Sequence, residues 1–160
     1  MINAFASVCK NHPGISLRIF GKGDPEYVSS IQRHIDELGM QNNITLMGRS
    51  PHMEEEYQKS NIFLMTSDYE GLPNALMEGM ASQLICISTD CKTGPRDLID
   101  HEVNGFLVNV GDENALADTI EKVLNMNPAE RTSIAKAARD KVLEHCSKEN
   151  SINVLCDLLK

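Results

Sequence analysis

Glu70 and Glu78 sit in the stretch Ser67-Asp68-Tyr69-Glu70-Gly71-Leu72-Pro73-Asn74-Ala75-Leu76-Met77-Glu78-Gly79-Met80-Ala81. A carboxylate accepts hydrogen bonds through two oxygens, so each Glu can hold a vicinal diol, the hydroxyl pair of a ribose or a hexose, in bidentate fashion. Between the two, Gly71 permits a tight turn, and Pro73 brings no amide to a first helical turn that would leave it unpaired. Free N–H groups near Asn74 and Ala75 then attract an anion such as phosphate, aided by the positive end of the helix dipole. Glu78 falls on the same side of that helix as Asn74, because four residues make about one turn. Two diol-binding groups around an anion site match what a nucleotide sugar offers. The same pair also fits a plainer arrangement, with Glu78 solvated on a helix and Glu70 paired with the helix dipole.

The elements that must position these residues follow from apolar periodicity, which switches between short β-branched runs and longer helical stripes at Gly, Pro and Asn. Ile2, Phe5, Ala6 and Cys9 have helical spacing, and the break comes at Asn11-His12-Pro13-Gly14. Ser16–Phe20 reads as a strand, and Gly21-Lys22-Gly23 turns into a helix with Tyr27, Val28, Ile31, Ile35 and Leu38 on one side and Gly39 as its cap. Ile44–Met47 is the next strand, then a short helix over Met53–Lys59 with Ser50 as N-cap and Pro51 in its first turn. Ile62–Thr66 is a third strand, and Pro73 starts a helix with Ala75, Leu76, Gly79 and Met80 on its buried face. Leu84–Ser88 is a fourth, its apolar run suited to a fully buried parallel strand, and Phe106–Val110 a fifth. Helices over Glu113–Asn125, Ala129–His145 and Lys148–Leu159 close the chain, so C-terminal helices begin near residue 113.

Alternating strands and helices predict an α/β, Rossmann-like fold, a mainly parallel sheet with helices on both faces and ligands at the carboxyl ends of the strands. The loops at those ends are Gly21–Pro25, Gly48–Ser50, Ser67–Asn74 and Thr89–Arg96. A chain of 160 residues is one domain's worth and can bury roughly 70% of its unfolded surface. A hydrophobic share of 41% and a charged share of 24% exclude disordered and fibrous classes. The net charge of −8, with no Lys/Arg cluster longer than two residues, disfavours nucleic acid and anionic lipid as partners. Cysteines 9, 86, 91, 146 and 156 are odd in number and far apart, which argues against a disulfide framework and a zinc cluster. The five histidines form no metal-binding pair, so no metal site is expected and each His reads as a surface or satisfied one. With no run of ~18 apolar residues and no signal-peptide pattern, the chain reads as soluble and cytoplasmic.

The order of strand, Ser67–Asn74, apolar helix carrying Glu78, then Leu84-Ile85-Cys86-Ile87-Ser88-Thr89-Asp90 resembles the nucleotide-sugar-binding domain of retaining glycosyltransferases of family four, the C-terminal half of a GT-B fold. Further blocks follow the family's order: Ile2-Asn3-Ala4-Phe5 with His12-Pro13, Leu17–Gly23, Ile44–Arg49, Gly94–Ile99 and Asn104–Val108. The similarity runs from about residue 2 to about residue 125. It implies a hexosyl transfer from a nucleoside diphosphate, with uridine as base, to a glycan or lipid-linked acceptor in polysaccharide assembly. It implies no cofactor beyond that donor, and the leaving phosphate itself as acceptor of the proton. By the resemblance, Glu78 holds the ribose, Glu70 acts catalytically on donor-sugar hydroxyls, and the backbone of Gly71, Leu72, Pro73 and Asn74 approaches the sugar and diphosphate. Gly48 and Arg49 lie beside the base, through backbone more than the Arg49 side chain, and Arg96 is expected in a surface salt bridge. The alternatives are a non-catalytic nucleotide-binding or interaction module of the same fold, and half of a related epimerase or phosphorylase.

Family members also carry a strand and loop with a diphosphate-binding Arg and Lys before the first helix, and a separate N-terminal acceptor domain. Against that pattern the chain reads as one N-terminally truncated domain over residues 1–160, lacking the sheet's first strand and inactive alone. The resemblance leaves a peripheral place at the inner membrane open for the intact enzyme. Loss of a central strand leads us to expect self-association, strand exchange or a closed-up, rearranged sheet.

Overall fold

The computed structural model describes residues 1–145, so the helix expected over Lys148–Leu159 lies outside the described residues. The chain alternates as the periodicity requires: α1 (Ile2–Cys9), β1 (Leu17–Phe20), α2 (Pro25–Glu37), β2 (Ile44–Gly48), α3 (Met53–Gln58), β3 (Ile62–Met65), α4 (Asn74–Ala81), β4 (Ile85–Thr89), α5 (Pro95–Leu98), β5 (Phe106–Val108), α6 (Glu113–Asn125) and α7 (Pro128–His145). Every strand pairing is parallel, but the strands form two sheets, β1-β2 and β3-β4-β5. This is the Rossmann-like arrangement, with a division down its middle.

The division follows the core. Ile62 and Leu64 point to one face of the larger sheet, where Ile85, Ile87, Phe106 and Val108 meet Leu116, Ile120 and Val123 of α6. On its other face Leu76 and Met80 of α4, Tyr57 of α3, and Ala138 and Val142 of α7 pack together with Phe63 and Met65. β4 is buried on both faces throughout, which explains its unbroken apolar run. At Gly79 the helix and sheet touch: a Cβ there would stand 2.9 Å from Phe63 Cγ, so glycine lets α4 lie close on β3. The smaller sheet has its own core of Phe5, Cys9, Ile35 and Ile44 with Leu17, Ile19 and Leu46 beside it. α1 belongs to both cores, since Ala4 and Val8 face the larger sheet's cluster and Phe5 and Cys9 the smaller's.

Several local expectations are corrected. Of the predicted apolar side of α2, only Ile35 is fully buried; Tyr27, at 64% exposed, and Val28 overhang the narrow two-stranded sheet, which is too small to cover them. Asp24 caps α2, accepting from the Glu26 amide at 2.9 Å. Ser50 does not cap α3; its hydroxyl accepts from the His52 amide at 3.1 Å in a local turn, and His52 is the first non-helical residue. The short helix α5 stands where the sequence suggests only a loop, started by Pro95. The sheet does not close up: β1 and β3 remain unpaired with each other.

Candidate functional site

The loop carrying Glu70 is fastened from the strand beside it. Thr89, at the end of β4, donates its hydroxyl to the Ser67 carbonyl at 2.6 Å, and the Thr93 hydroxyl donates to the Glu70 carbonyl. Gly94 completes the contact. Its φ is +95°, and a Cβ there would stand 2.7 Å from Pro73 Cδ, so no other residue fits both the conformation and the space. The loops following β3 and β4 are thereby pressed together at the carboxyl edge of the sheet, where an open α/β fold places its ligands.

Within this frame the Ser67 hydroxyl donates to Glu70 Oε1 at 2.6 Å, which orients a half-buried carboxylate. Glu78, exposed on α4, is oriented from another helix: the Tyr57 hydroxyl donates to its Oε2 at 2.8 Å. Tyr57 is 7% exposed, and its ring lies edge-on to Phe63 with centroids 6.2 Å apart. Burial first, then the hydrogen bond to Glu78 and its charge, push the Tyr57 hydroxyl well above the ordinary phenol range, so it remains a neutral donor. Glu70, Ser67, Tyr57 and Ala75 line one cavity of about 640 Å³; Glu78 does not line it and is linked to it through Tyr57.

The helix start differs in detail from expectation. Pro73 is the residue before the first helical turn, and Ala75 is exposed at the cavity wall instead of packed in the core. The Asn74 amide is already used, donating to the Leu72 carbonyl at 2.9 Å. The donors left at this helix start are the Ala75 and Leu76 amides, one position later than the spacing suggests. Gly71 and Leu72 form the exposed crest of the loop, with Leu72 70% exposed.

Gly48 and Arg49 belong to the other sheet. Gly48 ends β2 with φ +67° and accepts the Gly21 amide at 2.8 Å, joining the loops after β1 and β2. Arg49 is exposed, and among the described residues neither Gly48 nor Arg49 is bonded to the Glu70 loop or lines its cavity. Arg96 donates through Nε and Nη2 to the two oxygens of Asp90 at 2.8 and 2.6 Å, the expected salt bridge. Among the described residues no group of three or more His, Cys, Asp or Glu side chains could hold a metal ion. Cys9, Cys86 and Cys91 are buried free thiols, and burial raises the thiol pKa of Cys9 and Cys86. No helix of the described residues is long and apolar enough to cross a membrane.

The sequence reading gave Tyr57 no role, and it placed Thr89, Thr93 and Gly94 in a strand-end loop without the contacts that fasten the Glu70 loop. The signal for Tyr57 was available: a tyrosine on the apolar side of a short helix needs a partner for its hydroxyl, and Glu78 lies one strand and one helix further on.

The sequence profile of the glycosyl transferases group 1 family matches residues 1–141. An exopolysaccharide phosphotransferase of Streptomyces coelicolor is 36% identical over 124 residues, covering 77% of this chain and 13% of that protein. A poly(ribitol-phosphate) α-N-acetylglucosaminyltransferase of Staphylococcus aureus is 26% identical over 150 residues, covering 94% of this chain and 30% of its own length. A solved structure of a mutant of S. aureus TarM in complex with fondaparinux, α-GlcNAc-glycerol and UDP matches 98% of this chain and 31% of that chain, with a TM-score of 0.89 and 25% identity. The chain thus spans less than a third of the length of each of these relatives.

Proposed function

The chain belongs to the group 1 glycosyl transferases, and from that membership we propose that it holds a nucleoside diphosphate sugar, the donor for retaining transfer of a hexosyl group in polysaccharide assembly. The observation that carries this is the pair of oriented carboxylates: Glu70, held by Ser67, precedes the amino end of α4, and Glu78, held by Tyr57, stands in its second turn. In the proposed complex Glu78 accepts from the ribose hydroxyls and Glu70 from hydroxyls of the donor sugar, each using the carboxylate geometry that suits a diol. The Ala75 and Leu76 amides and the helix dipole meet the diphosphate, beneath the backbone of Gly71, Leu72, Pro73 and Asn74. Gly48 and Arg49 stand by the base. A uridine base is supported by the likeness to TarM, whose solved complex contains UDP. The glycan or lipid-linked acceptor is met by polypeptide beyond this domain, so the domain alone has no useful turnover.

Titration calorimetry with UDP tests the proposal. Binding is expected, with the same affinity in EDTA because the diphosphate is met by amides and needs no divalent ion. Glu78→Gln should weaken UDP by about tenfold, the value of one hydrogen-bonded charge. Failure of both UDP and GDP to bind would leave a non-catalytic module of the same fold as the correct account.

A further inference from the structure

We propose that the Asp90–Arg96 ion pair is the positioning device of Glu70: it closes the loop after β4 into a ring, and the ring sets the fit of the donor sugar separately from that of the nucleotide. The inference rests on the assignment of Glu70 to the donor sugar made above. Arg96 and Asp90 lie six positions apart, and the guanidinium donates to both carboxylate oxygens, at 2.8 and 2.6 Å. Such a fork fixes direction as well as distance. Asp90 is anchored in turn, its amide donating to the Val108 carbonyl of β5 at 2.7 Å. Arg96 stands in α5, whose Pro95 and Leu98 are buried. The chain between the two is therefore folded back on itself between held ends.

The ring carries the grip on the Glu70 backbone. Inside it Cys91 is buried, and its thiol lies 3.7 Å from the Thr93 carbonyl, while the Thr93 hydroxyl donates to the Glu70 carbonyl. Gly94, next in the ring, backs Pro73. Glu70 belongs to no helix or strand; it lies in the loop between β3 and α4. Ser67 orients its side chain, and Thr93 holds its backbone from the facing loop. Glu78, in contrast, stands on helical backbone and takes its hydrogen bond from Tyr57 of α3. The two carboxylates are thus positioned through separate parts of the molecule. Opening the ring should release Glu70 and leave Glu78 and the α4 start in place. Gly94→Ala acts differently, because its added Cβ pushes on Pro73 and so on the α4 start itself. With Arg96 58% exposed, the pair adds little to global stability, so its loss should be felt locally.

Two measurements on the 160-residue chain test this. The first needs no ligand. Backbone nitrogen-15 relaxation should give order parameters near the rigid value of about 0.85 at Glu70, Gly71 and Thr93 of the wild type, and below about 0.6 at the same residues in Arg96→Gln and Asp90→Asn. Ile85–Thr89 of β4 should stay rigid in all of them. Arg96→Lys should loosen the loop as well, because an ammonium keeps the charge without the fork. The second is calorimetry with UDP, UDP-glucose, UDP-galactose and UDP-N-acetylglucosamine. For the sugar nucleotide that wild type binds best, the ratio of its affinity to that of UDP should fall about three- to tenfold in Arg96→Gln, as expected for one misplaced hydrogen-bonding group. Lys141→Gln, which breaks the exposed pair with Asp100, should alter neither measurement. Equal order parameters in wild type and variants, an unchanged affinity ratio, or an equal loss for UDP and sugar nucleotide would each overturn the proposal. A wild type that binds neither UDP nor any of the three sugar nucleotides would instead overturn the nucleotide-sugar reading, and the order parameters would still decide whether the ion pair holds Glu70.

Discussion

A buried phenol that donates to an exposed carboxylate does something a solvated glutamate cannot: it holds Glu78 in one rotamer before any ligand arrives. The Tyr57 ring is fixed by Phe63 and by burial, so its hydroxyl has one direction to point. Tyr57→Phe keeps the ring and removes the donor. The expected result is a UDP affinity lower by about three- to tenfold, with thermal stability little changed, because the exposed carboxylate regains water and the net loss is that of an ordinary hydrogen bond, ~0.5–1.5 kcal/mol. Equal UDP affinity in wild type and Tyr57→Phe would remove Tyr57 from the site. Spacing alone made Glu70, Glu78 and the glycine-proline turn legible, because a carboxylate and a helix start announce themselves in one dimension. Their orienting partners were not legible. Ser67 is local enough to have been considered, but Tyr57 and Thr89 act across strands, and a hydroxyl at a distant position carries no mark of whom it will meet.

Elements enter through the loops they bring together. The α4 start is shaped by the loop after β4, and the closest approach is at Gly94, where both a positive φ and a Cβ-free surface are required. Gly111 makes a control: its φ is +78°, but nothing lies within 4 Å of a Cβ there. Gly111→Ala should cost ~1 kcal/mol for the strained conformation alone. Gly94→Ala should cost ~1–3 kcal/mol more, since Pro73 must also retreat, which for a chain of this size lowers Tm by about 4–10 °C in a melting experiment. It should also abolish UDP binding, whereas Gly111→Ala should not; equal effects would mean that the Pro73 contact is incidental. The existence and type of nearly every element could be read from periodicity, because the switch from alternation to helical spacing is a local property. α5 could not, since four residues make barely one turn and leave no repeated spacing to read, and the exposure of Ala75 could not, since it depends on the gap beside it.

At the scale of the molecule the question is what keeps two sheets in one body without a ladder between them. α1 wedges into both cores, and among the described residues a polar joint crosses from β1 to α3, where Arg18 donates to the Glu56 carboxylate, to the Glu56 carbonyl at 3.0 Å and to the Ser60 hydroxyl. Hydrogen bonding and charge from Lys59, with further help from Arg18, hold the Glu56 carboxyl below the usual glutamate range. A carboxyl depressed in the folded state adds stability that is present above its unfolded pKa and lost as pH falls through the folded value. The joint should therefore be intact at neutral pH and fail only as pH falls below the range in which unpaired glutamates take up protons. Urea unfolding between neutral and acid pH should show wild type losing stability through that window, while Glu56→Gln starts lower and changes less with pH. Because the joint ties the sheets and not the strands within each, the acid loss should appear first as faster hydrogen exchange at Leu17 and Ile19, ahead of Ile85–Thr89 in the larger sheet. Coincident acid unfolding of both sheets in wild type and variant alike would mean that α1 alone holds the molecule together.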